Sequence, residues 1–314
     1  MISKPAIYAE NTFLQDVHKG LTKHQKELPS KYFYDQEGSN LFEQICTETE
    51  YYPTCCEIEI MESHALEMSD LIDRNAQLIE LGSGSSKKTR ILLDHLIDLA
   101  MYVPVDISEE FLNQTAAVLR QDFPDLIINP VAADYTEPFD IPPADNIQKR
   151  VIYFPGSTIG NFTKTKAKNF LNGLARGLSQ GDGLLIGVDL NKDRTILEAA
   201  YNDSNGITAA FNKNLLIRLN RELNSNFKVD DFEHLAFYND EIGRVEMHLE
   251  SKKAQSVFVG NKEFFFSKGE TIHTENSHKY SISEFRELAS DSFNCLKVWT
   301  DSRNYFSVFY FVRK

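Results

Sequence analysis

The sequence predicts an α/β protein: a mostly parallel sheet of seven strands with a second lobe assembled from two separate stretches of chain. Three observations carry that prediction. The apolar run Leu78-Ile79-Glu80-Leu81 stops at Gly82-Ser83-Gly84, and Thr89, Ile91, Leu92, Leu93 and Leu96 follow at helical spacing, which reads as strand, tight turn and helix. Strand-like and helix-like segments then alternate as far as Asp189, the pattern a parallel sheet requires. Between Asp189 and His278 lie about ninety residues that such a sheet does not need.

The composition bounds the function. With 314 residues, 42% hydrophobic and 25% charged, the chain can bury a large core and still carry a second lobe. The 33 basic against 46 acidic residues give a net charge of −13, which argues against nucleic acid or an anionic membrane as partner and favours a small molecule. No stretch approaches the roughly 20 apolar residues of a membrane span, and Met1 to Gly20 has no apolar signal core, so a cytoplasmic protein is expected. A monomer is expected as well. Cys46, Cys55, Cys56 and Cys295 lack metal-ligand spacing and read as reduced structural thiols, and no metal site is expected.

Phe13, Val17 and Leu21 place a helix near the N-terminus. The aromatic-rich stretch from Lys31 to Pro53 follows, with Leu41, Phe42 and Ile45 on one helix face, and then a helix over Glu57 to Leu71 leads into the glycine strand. Met101 to Val105 is a strand ending at Asp106, and Ser108 caps a helix through Leu119. Ile127 to Ala132 is a third strand, ending at Asp134-Tyr135, and Arg150 to Phe154 a fourth, running into Gly156-Ser157-Thr158-Ile159-Gly160-Asn161-Phe162. A helix over Thr163 to Leu178 precedes the strand Leu184 to Val188. An antiparallel pair, Asn294 to Thr300 and Tyr305 to Val312, completes the sheet after a helix over Ser281 to Asp291. The insert reads as helices at Thr195 to Tyr201 and Gly206 to Leu223, a segment at Asp230 to Tyr238, and alternating strands at Val245 to Leu249, Ser256 to Val259 and Glu263 to Phe266. The expected division is therefore 1–65 and 191–280 for the second lobe, with 66–190 and 281–314 for the core.

Glycines let a backbone approach a ligand closely, and the helix start behind Gly82-Ser83-Gly84 offers N–H groups. The same turn also serves as a plain strand-to-helix connection. A dinucleotide fingerprint is excluded because Lys87 stands where the third glycine is required. Asp106 stands where a ribose diol would be held, and Asp134 beside Tyr135 suits an adenine amino group and ring face. Each aspartate alone is also an ordinary turn residue, but together they point to one crevice at the carboxyl ends of successive strands.

The acid before the glycines, Glu80 in E-x-G-x-G, resembles the first motif of S-adenosylmethionine-dependent methyltransferases. Longer runs narrow the resemblance: F-Y-D-Q-E-G-S-N-L-F-E-Q-I with E-Y-Y-P-T, L-G-S-G-S-S-K-K-T-R, G-S-T-I-G-N-F, Y-N-D-S-N-G-I-T-A-A-F-N-K-N, V-E-M-H-L and T-E-N-S-H-K. These are similar to the histidine-specific methyltransferases, from about Leu28 to Arg313. The resemblance implies a Rossmann-like methyltransferase core with a substrate-binding lobe, S-adenosylmethionine as cofactor, and conversion of L-histidine to hercynine in ergothioneine biosynthesis. It assigns Gly82, Ser83, Gly84, Lys88, Asp106, Asp134 and Tyr135 to the cofactor. Tyr51, Asn161 and Tyr201 would hold the substrate's amino and carboxylate groups, Met247, Glu275 and Ser277 its imidazole, and Tyr34 and Phe42 the methyl-transfer site. The chain departs from the pattern at Asn276, His278 and Phe162, which leaves the glutamate and serine in place. Two other functions stay open: methylation of another amino-acid derivative, of thiolhistidine or tryptophan type, and a catalytically silent cofactor-binding regulator.

Overall fold

The computed structural model describes residues 6–144 and 146–314. Residues 1–5, at the head of the expected N-terminal segment, lie outside the described residues. By contacts the chain forms two units, one of Met1–Glu50, Arg194–Glu241 and Val245–Asn276, the other of Tyr51–Asp193, Ile242–Arg244 and Ser277–Lys314.

The first unit begins with helix α1 (Ala6–Leu21), which buries Phe13, Val17 and Leu21 as their spacing predicts. Strand β1 (Lys26–Glu27) is too short and polar to announce itself in sequence. Helix α2 (Gln36–Ile45) starts at Asp35, whose carboxylate accepts the Gly38 N–H at 2.7 Å.

The second unit opens with α3 (Tyr52–Ile72), which starts before Glu57 because Pro53 sits in its first turn, where a missing N–H is harmless. This helix runs unbroken through residue 65, where the sequence reading passes from lobe to core, and lies wholly in the second unit. Then come β2 (Ala76–Leu81), α4 (Lys87–Leu93), β3 (Met101–Asp106) and α5 (Glu109–Asp122). Ser108 occupies the N-cap position of α5 but makes no capping bond with its side chain; Asp106 accepts the Ser108 N–H instead, at 3.0 Å. The third strand is shorter than expected. Only β4 (Val131–Ala132) pairs regularly, with an isolated bridge from Ile128 to Tyr102, because Pro104 of β3, the next residue there to face β4, has no N–H to give the ladder. Strand β5 (Lys149–Phe154), helix α6 (Lys164–Arg176) and strand β6 (Gly183–Asp189) follow close to expectation.

The chain then returns to the first unit for α7 (Arg194–Ala199), α8 (Ile207–Glu222) and β7 (Phe232–Asn239), the last being the Asp230 to Tyr238 segment. Strands β8 (Arg244–Ser251), β9 (Gln255–Val259), β10 (Lys262–Phe266) and β11 (Thr271–His278) complete it. Its sheet has the order β1-β11-β8-β7, with β1 parallel to β11, and β9 and β10 form a separate hairpin. Helix α9 (Ile282–Ala289), opened by a capping box of Ser281 and Glu284, and the strands β12 (Phe293–Thr300) and β13 (Phe306–Arg313) close the second unit.

The second unit's sheet has seven strands in the order β12-β13-β6-β5-β2-β3-β4. Strands β6, β5, β2, β3 and β4 run parallel, and β13 is antiparallel to both β6 and β12. Every residue of β2 and β6 is buried, as expected of strands covered on both faces. The winding reverses between β2 and β5, neighbours in the sheet although β3 and β4 intervene in the chain. In a doubly wound sheet the ligand crevice opens at the carboxyl ends of such a pair.

Candidate functional site

In the second unit the turn after β2 is fixed by its neighbours. Gly82 (φ +71°) donates its N–H to the Val105 carbonyl at 2.8 Å, and Gly84 (φ +49°) donates to Asp106 Oδ2 at 3.2 Å. A Cβ on Gly82 would lie 3.6 Å from the Tyr135 ring, so the absent side chain leaves a cradle walled by an aromatic face. The structure thus brings together Gly82, Ser83, Gly84, Asp106 and Tyr135, from three strand ends. Burial raises the Asp106 pKa, against the N–H bonds of Ser108, Gly84 and Ile107. Asp134 is turned toward its own loop, accepting the Thr136 N–H at 3.0 Å. Glu80 lies beneath the turn, 1% exposed, with the Tyr102 phenol donating to its carboxylate; burial pushes its pKa up to about 7.

The loop after β5 forms the second cluster of this unit. Asn161 ends a short 3-10 turn, Thr158–Asn161, whose Gly160 has no room for a side chain: a Cβ there would meet the His278 carbonyl oxygen at 2.9 Å. That approach sets Gly160, the residue before Asn161, against the Ser277–His278 peptide. Ser277 Oγ accepts a hydrogen bond from the Lys279 ammonium at 2.7 Å. Lys279 also donates to Asp189 Oδ2 at 2.6 Å, Lys192 pairs with Oδ1 of the same carboxylate, and the Tyr52 phenol donates to it at 2.7 Å. Tyr51 directly precedes Tyr52 at the start of α3. Burial alone would raise the Asp189 pKa, but Lys279 and Lys192 outweigh it and hold it low. Burial lowers Lys192 to about 8, against the pull of Asp189. This network was missed in sequence; its one signal is the run Asp189-Leu190-Asn191-Lys192 at a strand's carboxyl end.

In the first unit, Tyr34 and Phe42 meet edge to face, 5.7 Å between centroids. Phe211 of α8 completes a triangle, 5.8 Å from Tyr34 and 6.0 Å from Phe42. The next residue, Asn212, is fully buried and has both its amide N–H₂ and its oxygen hydrogen-bonded. Its amide donates to the His248 carbonyl and to His234 Nδ1, both at 2.9 Å, and its oxygen accepts the Thr274 hydroxyl at 2.8 Å. His234 Nε2 donates to the Tyr201 carbonyl at 2.8 Å, and burial lowers the His234 pKa, keeping the ring neutral for one donor and one acceptor. The Thr274 hydroxyl also lies 3.0 Å from the Met247 carbonyl oxygen. Asn212 therefore ties together the backbone around Tyr201, Met247 and Glu275. Neither Phe211 nor Asn212 was singled out from sequence, because both read as ordinary helix face.

Glu246, His248 and His273 place potential ligand atoms within 4.8 Å of one another. The two imidazoles are stacked, 4.7 Å apart at 14°, and Phe237 stacks on His248. In such a stack the in-plane lone pairs run side by side and do not converge on one ion. An open cavity of about 780 Å³ among Leu190, Tyr280, Arg286 and Phe293 includes none of the residues predicted from sequence. Among the described residues no helix is long and apolar enough to cross a membrane.

A winding reversal, a glycine turn and acids at successive strand ends define a Rossmann-like α/β protein that takes a nucleoside-type ligand. The family model described as histidine-specific methyltransferase, SAM-dependent, matches residues 13–313, and the chain belongs to that family. It is 40% identical to the histidine N-alpha-methyltransferase of Mycolicibacterium smegmatis over 97% of this chain and 96% of that protein. The enzyme of the same description from Mycobacterium tuberculosis is also 40% identical, over 94% of this chain and 92% of its own length. Ergothioneine biosynthesis protein 1 of Neurospora crassa is 32% identical over 89% of this chain and 32% of that much longer protein.

Proposed function

We propose that the chain methylates the α-amino nitrogen of L-histidine with S-adenosylmethionine, three times in succession, giving hercynine as the first step toward ergothioneine. The observation that carries this reading lies within the first unit. Consecutive residues of α8 join the aromatic triangle, through Phe211, to the strands bearing Met247 and Glu275, through Asn212.

The cofactor fits the donors present. The cradle at Gly82 bounded by Tyr135, the Asp106 carboxylate and Asp134 offer a close backbone, an aromatic wall and two acceptors for a ribose and an adenine. Gly82, Ser83, Gly84, Lys88, Asp106, Asp134 and Tyr135 would hold it. When bound, S-adenosylmethionine supplies a methyl group on a cationic sulfur, open to in-line displacement.

The chain's residues then have two tasks. One is alignment, for which no covalent nucleophile is needed. Tyr51, Asn161 and Tyr201 hold the amino and carboxylate groups, while Met247, Glu275 and Ser277 hold the imidazole. Because the Lys279 ammonium donates to Ser277 Oγ, the serine's own proton is directed elsewhere. Ser277 thus gives a hydrogen bond to the unprotonated ring nitrogen, and Glu275 accepts from the ring N–H. The other task is to present a neutral amine. Phenols and a carboxamide around the nitrogen supply polarity without a carboxylate that would stabilise the ammonium. As methyl groups accumulate the nitrogen becomes a permanent cation, and the faces of Tyr34 and Phe42 stabilise it by roughly 0.5 to 2 kcal/mol each.

Mass spectrometry of products from L-histidine and cofactor tests the reading: species carrying one, two and finally three added methyl groups are expected. Labelled methyl appearing in a tryptophan derivative and not in histidine would overturn it.

A further inference from the structure

Glu57 is fully buried and has no part in the roles described above. From α3 its carboxylate accepts the Gly156 N–H, 2.9 Å from Oε2, and the Lys88 ammonium, 2.6 Å from the same oxygen. Lys88 stands in the first turn of α4, directly behind the glycine turn of β2, and Gly156 opens the loop after β5. These are the two strand ends at which the winding reverses. Gly187 of β6 leaves the slot through which the carboxylate reaches: a Cβ there would lie 2.4 Å from Glu57 Oε1 and 3.0 Å from the Phe306 ring. A Cβ on Gly156 would lie 3.5 Å from Lys88 Nζ, so the lysine head is set against the loop backbone.

S-adenosylmethionine brings a cationic sulfonium, a cationic ammonium, and neutral ribose and adenine. Its methionyl carboxylate is its one anionic group, and so the end that a fixed lysine matches. We propose that Glu57 is a positioning residue that holds the Lys88 ammonium at this crevice to receive the methionyl carboxylate. In Glu57→Gln the amide oxygen could take the place of Oε2 and still accept from both Gly156 and Lys88, but the negative charge that fixes the ammonium there is gone. The inference rests on the cofactor reading given above and not on the identity of the methyl acceptor.

Titration calorimetry with two cofactor relatives tests it. S-adenosylhomocysteine has the carboxylate; 5′-methylthioadenosine keeps the nucleoside and lacks the amino-acid end. E57Q should weaken S-adenosylhomocysteine about tenfold or more, the scale of one charge-assisted bond, and leave methylthioadenosine within about twofold. K88M should show the same selectivity, and the double variant E57Q/K88M should bind no more weakly than K88M alone. G187A, which pushes the carboxylate from its slot without touching its charge, is a second route to the same selective loss. Retained methylthioadenosine binding shows in each case that the fold survives. Equal weakening of both ligands, an unweakened S-adenosylhomocysteine in E57Q, or additive losses in the double variant would overturn the role of Glu57. A wild-type chain that binds neither ligand would instead overturn the cofactor reading itself.

Discussion

The two units keep their polar groups in order by different means. In the second, charge is held out of water and neutralised in place: Asp189 sits against two lysines and a phenol and Glu57 against Lys88, while Glu80, bonded to the Tyr102 phenol, is neutralised by a proton of its own below about pH 7. In the first, the residues proposed to meet the substrate are surrounded by rings, and a neutral carboxamide, Asn212, carries the fixing bonds. Buried charges make a rigid frame whose failure is a loss of folding. Rings and neutral dipoles suit a region that must accept an amine and then tolerate a growing cation. Substitutions in the two units should therefore fail in different ways.

The largest expected effect is Asp189→Asn. It leaves Lys192 and Lys279, 3% and 0% exposed, sharing a neutral partner, and should cost about 3 to 5 kcal/mol in chemical denaturation. A loss of activity with unchanged stability would erase the contrast between the units. Next is Glu80. Its pKa is raised from 4.5 to about 7, so the folded state binds the extra proton. That stability is fully present below pH 4.5 and is lost as pH rises through about 7. Glu80→Gln should remove this decline, of order 3 kcal/mol, from urea midpoints measured across the window. A slope unchanged by the substitution would show that the proton is held elsewhere.

Glu275→Ala sharpens the other side. It should raise the KM for histidine about ten- to a hundredfold while leaving S-adenosylhomocysteine affinity intact; equal losses would remove its role in imidazole recognition. The smallest effect is expected for Phe42→Leu, which keeps apolar volume but removes a π face. Single-turnover product analysis should show mono- and dimethylated histidine accumulating, the last step slowed by a few fold to about thirtyfold. A uniform slowing of all three steps would mean the ring only packs.

How much was legible in sequence followed the same division. Strands β2 and β6 announce themselves because both faces are buried and each carries an apolar run, Leu78-Ile79 and Leu184 to Val188, and the glycine turn and its acids lie close together in the chain. Strand β4 misled because the ladder bond it lacks is withheld by Pro104 of the neighbouring strand, which nothing within 127–132 reveals. The Asp189 network was invisible because Lys192 and Lys279 are solvated surface residues by default, and only the fold brings them to one carboxylate. Phe211 and Asn212 were hidden for the opposite reason: in a helix with many apolar positions nothing marks which ring meets Tyr34 and Phe42. Motif likeness supplied the candidate substrate residues that periodicity could not.

The close approach at Gly160 has a consequence for how such chains diverge. Because the loop after β5 presses on the His278 peptide with no space for a methyl group, the loop and the exit of β11 fit only each other. A chain acquiring a new acceptor by exchanging either segment alone would inherit a mismatch. Residues 156–161 and 277–279 must be transplanted together, as one heritable block.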